Sequence, residues 1–325
     1  MRREDELLRF VSRKALGIEI APFFKPLTPK SGGFNCRTVD VFDAETLVSK
    51  AKEDPNIPNE HIAAIEKVDF LGDASRLDDL LAHDPNLGGY DYIVSSHNFE
   101  HLPNPVRFLQ GCLHVLRPGG VLSMAIPDYR ACFDHFRFPT RLADWIDAFH
   151  EDRQMPAQVT LLDANLNTAL YRGKDGSGRP GFALGSAKLD RFTFGHNLPS
   201  IYRQYVDPPK DYIDTHCSVT CPETFHLLVS DLIHMGLLDF EILSISKTNG
   251  FEYFVHLRKP ENEASVDYES YSEIRPKLLN EARLAIGNAC DSRFHVWLMN
   301  VVRDKWARRV LRRMVGLNPY VVEHK

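Results

Sequence analysis

The segment 95–105, SSHNFEHLPNP, places two histidines and a glutamate in the pattern H-x-x-E-H. On a continuous helix His97, Glu100 and His101 would share one face, and two imidazoles four residues apart can bind one Zn²⁺. However, a β-rich run leads directly into the segment, and two prolines follow His101 within four residues. Because proline interrupts helices and disfavours helical angles in the preceding residue, we interpret the segment as a strand-to-helix turn and not as a zinc-protease helix.

The elements around this turn alternate between β-rich and helical runs. The β-rich runs are 15–20, 36–42, 67–73, 90–96 and 119–128, and helical patterns separate the later ones. Such alternation predicts parallel strands with helices on both faces. Two further β-rich runs flank Asn249-Gly250, which is a strong hairpin signal. The fold class predicted from these patterns is α/β, with a sheet that ends in an antiparallel pair.

The alternation fails between residues 129 and 215. We therefore predict a core formed by 1–128 and 216–260, a substrate-recognition insertion or lid at 129–215, and a helical C-terminal appendage at 261–325. The insertion is rich in aromatic residues, which suit either stacking on a sugar ring or a small local core. Its glycine-rich segment, RGKDGSGRPGFALGSAK, lacks the ending of a phosphate loop, and we expect a mobile lid or disorder there.

Composition narrows the function classes. The chain has 325 residues, a net charge of -5 and 43% hydrophobic residues. This mildly acidic balance does not favour nucleic acid as a partner. No apolar run has the length of a membrane span, and the first residues do not resemble a signal peptide. The six cysteines form no C-x-x-C pair, so we expect reduced thiols and a cytoplasmic location.

Acidic residues follow two of the predicted strands at positions suited to ligand binding. In open α/β sheets, ligands bind at the carboxyl ends of strands near the point where strand order reverses. Asp40 closes the second run, about 20 residues beyond Glu19, where a carboxylate can accept hydrogen bonds from ribose hydroxyls. Asp73 and Ala74 close the third run, where a carboxylate and a backbone amide can contact an adenine edge.

The motifs GIEIAP, RTVD, FLGDASRL and YDYIVSSHNFEHLPNPVRFLQGCLHVLRPGGVLSMAIPD, with the closing hairpin, resemble those of class I S-adenosylmethionine-dependent methyltransferases. The resemblance covers roughly 15–130 and 215–260. It implies a Rossmann-like, seven-stranded, mostly parallel sheet with an antiparallel last strand, and S-adenosyl-L-methionine as the cofactor. By matching position it also implies cofactor-binding roles for Glu19, Ala21, Asp40, Asp73, Ala74, Ser96, His97 and Asn98.

Two features depart from the family pattern. Ala21 stands where the family has a glycine, so a methyl group lies where the backbone passes close to the cofactor. In addition, the segment PFFKPLTPKSGG has three prolines where the family starts a helix. Because the expected cofactor carries no phosphate, loss of that helix N-terminus should matter less than in a nicotinamide enzyme.

We predict catalytic roles for His101, His216 and Asp128, with His101 as the first choice for a general base. Two of them have a plainer alternative: His101 as a cap of the next helix, and Asp128 as a helix start or a salt bridge. We considered a Mg²⁺ site at His97, Glu100 and Asp128 and a metal site at His216, Cys217 and Cys221. Their ligand types and spacings match such sites poorly, so we expect no metal.

The resemblance favours O-methylation of a sugar or glycan hydroxyl in polysaccharide biosynthesis. The alternatives are a small-molecule N-methyltransferase and a non-catalytic binding module that docks a glycosyltransferase or a membrane. The basic run 303–313 predicts an amphipathic helix that contacts a membrane surface, a partner or a dimer mate, or packs on its own domain. The remaining partner expected is a small-molecule or glycan substrate.

Overall fold

The computed structural model describes residues 2–195, 197–207, 211–262 and 268–287. Within them lie ten strands: β1 (Gly17–Ile20), β2 (Cys36–Asp40), β3 (Phe70–Leu71), β4 (Tyr90–Ser96), β5 (Leu116–Pro127), β6 (Leu170–Arg172), β7 (Gly178–Arg179), β8 (Phe192–Thr193), β9 (Glu241–Ile245) and β10 (Glu252–Arg258). Seven of these strands form one sheet, and β6, β7 and β8 form a second, smaller one.

The helices of the same residues are mostly short. They are α1 (Arg3–Leu7), α2 (Ala44–Glu53), α3 (Asn59–Ile62), α4 (Leu77–Leu80), α5 (Pro105–Val115), α6 (Leu142–His150), α7 (Gln158–Asn167), α8 (Leu198–Val206), α9 (Pro222–His234) and α10 (Tyr268–Gly287). Three-residue 3-10 turns lie at Lys30–Gly32, Ala74–Arg76, Phe99–His101, Tyr129–Ala131 and Leu189–Arg191.

The large sheet has the strand order β3-β2-β1-β4-β5-β10-β9. The pairs β1–β2, β1–β4, β2–β3 and β4–β5 are parallel, whereas β10 runs antiparallel to both β5 and β9. The predicted α/β fold, a Rossmann-like seven-stranded sheet with an antiparallel last strand, is therefore confirmed.

Both faces of the large sheet are covered, as the apolar character of its central strands predicts. On β4, the side chain of Ile93 joins the main core formed with α5 and α9, and those of Tyr92 and Val94 join a second core on the other face. That second core is closed by Leu7 of α1 and by the partly buried Leu27. The second face is thus covered partly by the loop between β1 and β2, which carries Leu27.

The H-x-x-E-H segment adopts the turn conformation predicted for it. A single 3-10 turn, Phe99–His101, follows β4. Helix α5 then begins anew, because the Asn104 side chain accepts a hydrogen bond from the Arg107 amide at 3.1 Å and Pro105 occupies the first turn. His97, Glu100 and His101 therefore do not share a helix, and the zinc-protease interpretation is excluded by the local fold.

Several predicted boundaries were wrong. The third strand shrinks to two residues, because Asp69 instead accepts hydrogen bonds from the Thr38 amide (2.8 Å) and from Lys30 Nζ (2.5 Å). Strand β5 begins at Leu116, three residues before the predicted start. The final hairpin forms as expected around Gly250 (φ 68°), but its strands are separated by residues 246–251.

The insertion has more regular structure than we predicted. Besides three helices, it contains the sheet β7-β6-β8, which packs with its own small core of Ala131, Ala169, Tyr171, Phe182 and Phe192. The glycine-rich segment, expected to be a lid or disordered, forms the antiparallel pair β6–β7, with Gly176 at φ 79° in the connecting turn. A glycine adopts this left-handed conformation without steric cost, which explains the composition of the turn.

Candidate functional site

The strand order of the large sheet reverses between β1 and β4. Strands β2 and β3 extend from one side of this pair and β5 from the other, so the carboxyl ends of β1 and β4 form the topological switch point where ligands bind in such sheets. Immediately beyond these ends, Ala21 (φ 49°) and His97 (φ 50°) both have left-handed backbones. Non-glycine residues in such conformations cost about 1–3 kcal/mol each and concentrate at functional sites. This edge of the sheet is the candidate site.

Glu19 organises the loop that follows β1. It is buried, one carboxylate oxygen accepts from the Leu27 amide at 2.7 Å, and the other accepts from the amide and the hydroxyl of Thr28, both at 2.7 Å. Burial raises the pKa of Glu19, although these hydrogen bonds oppose the shift. Between β1 and β2 the chain forms only the 3-10 turn Lys30–Gly32, so the helix that the family starts here is replaced by a loop tied to Glu19.

Asp40, Asp73 and Ala74 lie at the same edge of the sheet, because β2 and β3 are neighbours and both end there. Asp40 is buried, and its Oδ1 accepts from the Phe42 amide at 3.0 Å. Burial raises the pKa of Asp40, and hydrogen bonds from the backbone partly offset this increase. Asp73 is exposed and caps the following turn by accepting from the Ser75 amide at 2.8 Å, while Ala74 is buried.

Three buried polar atoms near these strand ends have no hydrogen-bond partner among the described residues. They are Ser75 Oγ after β3, Ser95 Oγ at the end of β4, and Asn98 Nδ2 in the turn after β4. An unsatisfied buried polar group costs about 1–3 kcal/mol, so a polar ligand that reached these atoms would recover that cost. The sequence indicated Asn98, but Ser75 and Ser95 were missed, because no pattern distinguishes them from other serines near strand ends.

The side chains of Ser96 and His97 belong to a charged network that the sequence did not reveal. Arg3 donates to Ser96 Oγ at 2.6 Å and to both carboxylate oxygens of Glu252, at 2.7 and 3.1 Å. His97 Nε2 lies 2.9 Å from Glu252 Oε2. Burial would lower the pKa of His97, but Glu100 and Glu252 outweigh it and raise the pKa to about 9. Arg3 and Glu252 thus fix the part of the edge where the methionine end of the cofactor was expected.

The structure brings His101 and His216 together with Glu100, and we refer to these three residues as the His–Glu cluster. Glu100 Oε1 is 3.9 Å from His101 Nε2 and 4.0 Å from His216 Nε2, and the two imidazole rings meet edge to face at 4.7 Å. Glu100 and His216 are buried, and His101 is half-buried. Glu100 and His101 lie in the turn after β4, beside the switch point, and His216 reaches them from the segment before α9.

Further carboxylates hold the two histidines of this cluster. His101 Nδ1 is 2.8 Å from Asp214 Oδ1, and His216 Nδ1 is hydrogen-bonded to Asp134. Burial would lower the pKa of His101, but Asp214 and the other nearby carboxylates outweigh it and raise that pKa. Arg137 donates to Asp134 Oδ1 at 3.0 Å and to the His216 carbonyl at 2.9 Å. These partners come from the insertion, so the insertion helps to build the cluster.

Asp128 has a different environment from the one we expected of a catalytic residue. Its carboxylate is fully buried and accepts from the Arg130 amide (2.9 Å), from Arg130 Nε and Nη2 (2.9 and 2.6 Å) and from the Thr248 hydroxyl. These contacts match the salt-bridge alternative. Both carboxylate oxygens of Asp128, which we considered as a Mg²⁺ ligand with His97 and Glu100, thus accept hydrogen bonds from the chain's own donors.

The aromatic residues of the insertion divide into two groups. Trp145 and Tyr129 are buried in apolar cores. Five others are exposed: Phe138 (81%), Tyr202 (65%), Phe194 and Tyr212 (53% each) and Tyr205 (37%). Burial, followed by the charge of Asp214 and other neighbours, raises the pKa of Tyr212 to about 12. Exposed rings suit stacking on a ligand, whereas the buried ones serve packing.

Two cavities lie away from the switch point. One of about 270 Å³ is formed by α7, α8 and Ile213, and one of about 410 Å³ lies between α6, α9 and α10.

The basic run 303–313 lies outside the described residues, and its membrane, partner and dimer contacts therefore stay predictions. In the part of the chain that is described, no helix combines the length and the apolar character needed to cross a membrane.

A family model described as a methyltransferase domain matches residues 33–124. The matched segment runs from just before β2 into β5, so it contains the strand ends with Asp40, Asp73 and the His97 turn but not the Ala21 loop. The seven-stranded sheet with its antiparallel strand β10 matches a Rossmann-like methyltransferase fold. S-adenosylmethionine is the cofactor that this methyltransferase domain implies. The unsatisfied polar atoms at the switch point, together with Asp40, fit a polar nucleoside of this kind.

Solved structures similar to the chain include a SAM-dependent methyltransferase from Aquifex aeolicus, at 9% identity over 79% of this chain and 89% of that one, with a TM-score of 0.37. Another SAM-dependent methyltransferase, from Methanosarcina mazei, has 11% identity over 78% and 96% of the two chains and a TM-score of 0.36. The PH0226 protein of Pyrococcus horikoshii has 10% identity over 78% and 85%, and a TM-score of 0.38. The function of the chain does not follow from scores this low. No curated protein matches the chain.

Proposed function

We propose that the chain is an S-adenosylmethionine-dependent methyltransferase that methylates an oxygen nucleophile, with a sugar or glycan hydroxyl as the acceptor. The observation that carries the proposal is the switch-point edge, where Asp40 and three unsatisfied buried polar atoms adjoin a cluster of two histidines and a glutamate. The first group suits a nucleoside cofactor, and the second suits an acceptor whose proton must be removed.

Each part of the cofactor has residues suited to hold it. Asp40 would accept hydrogen bonds from the ribose hydroxyls, because its carboxylate ends β2 beside the switch point. Asp73, the Ala74 amide and Ser75 would contact the adenine. Ser95 and Asn98 would donate toward the methionine part, and the loop tied to Glu19 would cover it. The bound cofactor supplies an electrophilic methyl group, and the chain supplies position and exclusion of water.

The acceptor would lie at the His–Glu cluster. A hydroxyl is a weak nucleophile, so its methylation needs a group that takes or polarises its proton, and the histidines are the polar groups beside the end of β4. The exposed rings of Tyr202 and Tyr212 in the insertion would stack on a sugar. The remaining parts of this proposal are polysaccharide biosynthesis, which rests on the sequence resemblance, and a cytoplasmic location, which rests on the cysteine pattern.

Calorimetry with S-adenosylhomocysteine tests cofactor binding. We expect saturable binding to the full chain that weakens about 10- to 100-fold in Asp40→Ala, because a charged acceptor of ribose hydrogen bonds is lost. Asp43→Ala is the matched control, since the Asp43 carboxylate caps α2 through the Thr46 amide. The proposal is wrong if the unmodified chain binds no S-adenosylhomocysteine, or if both variants weaken binding equally.

Transfer of a labelled methyl group to saccharides and to small amines tests the acceptor class. With an oxygen acceptor, His101→Ala should lower kcat about 100-fold, the range expected for loss of assistance to proton removal. A neutral amine needs no such assistance, and its methylation should hardly change. Methylation of amines alone, insensitive to this substitution, would identify an N-methyltransferase.

A second candidate is a non-catalytic module that keeps the fold. Two observations favour it: Ala21 has a strained backbone where the family has glycine, and the oxygens of Glu19 are occupied by the chain's own loop. The calorimetric experiment separates the candidates, because the module is expected to bind no S-adenosylhomocysteine.

A further inference from the structure

The His–Glu cluster has the composition and the spacing of a metal site. The Nε2 atoms of His101 and His216 lie 3.9 and 4.0 Å from Glu100 Oε1, and the three potential ligand atoms all lie within 4.8 Å of one another. Both contacts to Glu100 are longer than a hydrogen bond, so the three groups face a common point without bonding to each other. Two imidazoles and one carboxylate are a recurrent ligand set for divalent transition metals.

Each histidine of the cluster has a carboxylate partner on Nδ1, the nitrogen that faces away from Glu100. These partners orient the two rings in the way that the rings of metal-binding histidines are oriented. His101 is bound through Nδ1 to Asp214, and His216 is bound through Nδ1 to Asp134. Because a carboxylate only accepts, each Nδ1 carries the proton, and a neutral ring then has its lone pair on the inward-facing Nε2. A histidine held by a carboxylate on its far nitrogen is the usual arrangement around bound metal ions.

Glu100 provides a second, independent observation. Its side chain is 1% exposed, and its Oε2 has no hydrogen-bond partner among the described residues. A buried carboxylate with an oxygen that lacks a donor is costly, and a cation bound to this carboxylate through Oε1 would compensate for its charge. Carbonyl contacts also fix the geometry, because the Glu100 carbonyl accepts from the amides of Cys217 (2.6 Å) and Ser218 (2.9 Å). The segments that carry Glu100 and His216 are thereby joined.

We propose that Glu100, His101 and His216 bind a divalent transition metal ion. An ion at the centre of a triangle with these edges would lie about 2.5 Å from each ligand atom, so small side-chain movements reach the 2.0–2.2 Å of Zn²⁺. Two nitrogen ligands favour such an ion over Mg²⁺, which prefers oxygen ligands. Three protein ligands leave a coordination position open, as in catalytic rather than structural sites.

The open position indicates what the ion would do. A hydroxyl bound to a divalent cation has a lowered pKa, so a metal at the cluster would activate the acceptor oxygen at neutral pH. This part of the inference rests on the proposed function, whereas metal binding itself does not. The two histidines would then hold the ion rather than act as free bases.

Zn²⁺ titration of the chelator-treated full chain, followed by calorimetry, tests the site. We expect one ion per chain, and we expect replacement by Co²⁺ to give the visible absorption of a nitrogen- and oxygen-ligated ion. Glu100→Gln and His101→Ala should each weaken binding by more than about 100-fold, because outer partners alone contribute about 10- to 100-fold. Asp214→Asn should weaken Zn²⁺ binding about tenfold, because Asp214 is the carboxylate partner of His101. The half-buried position of His101 makes its variant the one most compatible with folding.

His114→Ala is the control, because His114 is an exposed histidine with a carboxylate partner, Asp78, on another part of the surface. Loss of Zn²⁺ binding in this variant as well, unchanged binding in Glu100→Gln, or tighter binding of Mg²⁺ than of Zn²⁺ would overturn the proposal. S-adenosylhomocysteine binding is measured on the same metal-free chain. Cofactor binding without Zn²⁺ binding refutes only the metal site, and the reverse result refutes only the proposed function.

Discussion

Glu19 and Thr28 are joined by two hydrogen bonds, both 2.7 Å long, from the amide and the hydroxyl of Thr28 to the same carboxylate oxygen. A third bond of the same length reaches the other oxygen from the Leu27 amide. A glutamate that the family resemblance assigns to the cofactor therefore also shapes the loop beside the cofactor. Stability measurements on this loop can consequently be made without any ligand.

Glu19→Gln should lower the free energy of unfolding by about 2–3 kcal/mol. The substitution keeps the shape of the side chain but turns an NH₂ group toward a backbone amide, which leaves buried donors without acceptors. Thr28→Val removes only the hydroxyl bond and should cost about 1 kcal/mol. Urea denaturation compares the two, and an equal or larger loss in Thr28→Val would contradict the role given to Glu19.

Ala21→Gly should raise the free energy of unfolding by about 1 kcal/mol. Glycine adopts a φ of 49° freely, whereas alanine has a steric cost there. Ala63→Gly is the control, because Ala63 has an ordinary φ of -67°. This variant should lower the free energy of unfolding by about 0.5–1 kcal/mol. If both variants are destabilised alike in chemical denaturation, the backbone at Ala21 is not strained.

Asp128→Ala should destabilise the chain by about 3–5 kcal/mol, because it leaves the buried Arg130 guanidinium without its main partner. Arg130→Ala should have a comparable effect. The double variant should lose clearly less than the sum of the two single losses, since each substitution removes the same pair. Additive losses in denaturant titrations would show that Asp128 and Arg130 act independently.

Because of His256, the free energy of unfolding should decrease as the pH falls through the mildly acidic range. Burial, followed by the charge of Arg9, lowers the pKa of His256 to about 4, and its ring packs 5.0 Å from that of Phe10 with Glu6 Oε1 4.0 Å from Nε2. Because the unfolded chain takes up this proton near pH 6.5 and the folded chain near pH 4, stability is lost as the pH falls between those values.

The loss that His256 causes over this range is on the order of 3 kcal/mol. Unfolding free energies measured at pH 7 and pH 4.5 should therefore differ less in His256→Phe than in the unmodified chain. His114→Ala, which changes an exposed histidine, should keep the full difference. An unchanged difference in His256→Phe would show that this ring does not control the acid response.

The sequence predicted long, locally encoded elements well. The predicted bounds of β4, 90–96, are the observed ones, because a continuous apolar run with a proline-bounded turn leaves few alternatives. The small strands β6, β7 and β8 were missed, since strands of two or three residues depend on partners elsewhere in the chain. Likewise β3 was overestimated, because the Thr38 amide donates to the side chain of Asp69 and not to a backbone carbonyl of that run.

The sequence indicated which residues to consider for the candidate site, but it did not indicate how they lie relative to one another. His101 and His216 were each chosen for chemistry, but their meeting over Glu100 depends on how the insertion returns to the core. Neither Asp134 nor Asp214 has a local signal, since any of 44 acidic residues could have held these rings. Which histidine nitrogen faces the cluster is set by those partners, and spacing along the chain cannot reveal it.

The contact between Arg3 and Glu252 joins residues 249 positions apart in the chain. A ribosome would have released the helix carrying Arg3 long before it added the strand that begins with Glu252. Until then His97 lacks its contact with Glu252, and Arg3, which donates to Ser96, lacks the carboxylate that holds it. Contacts so distant in sequence form slowly. We therefore expect the ligand-binding edge to be the last part of a newly synthesised molecule to mature, and shortened translation intermediates to be folded in the sheet yet incompetent for ligand.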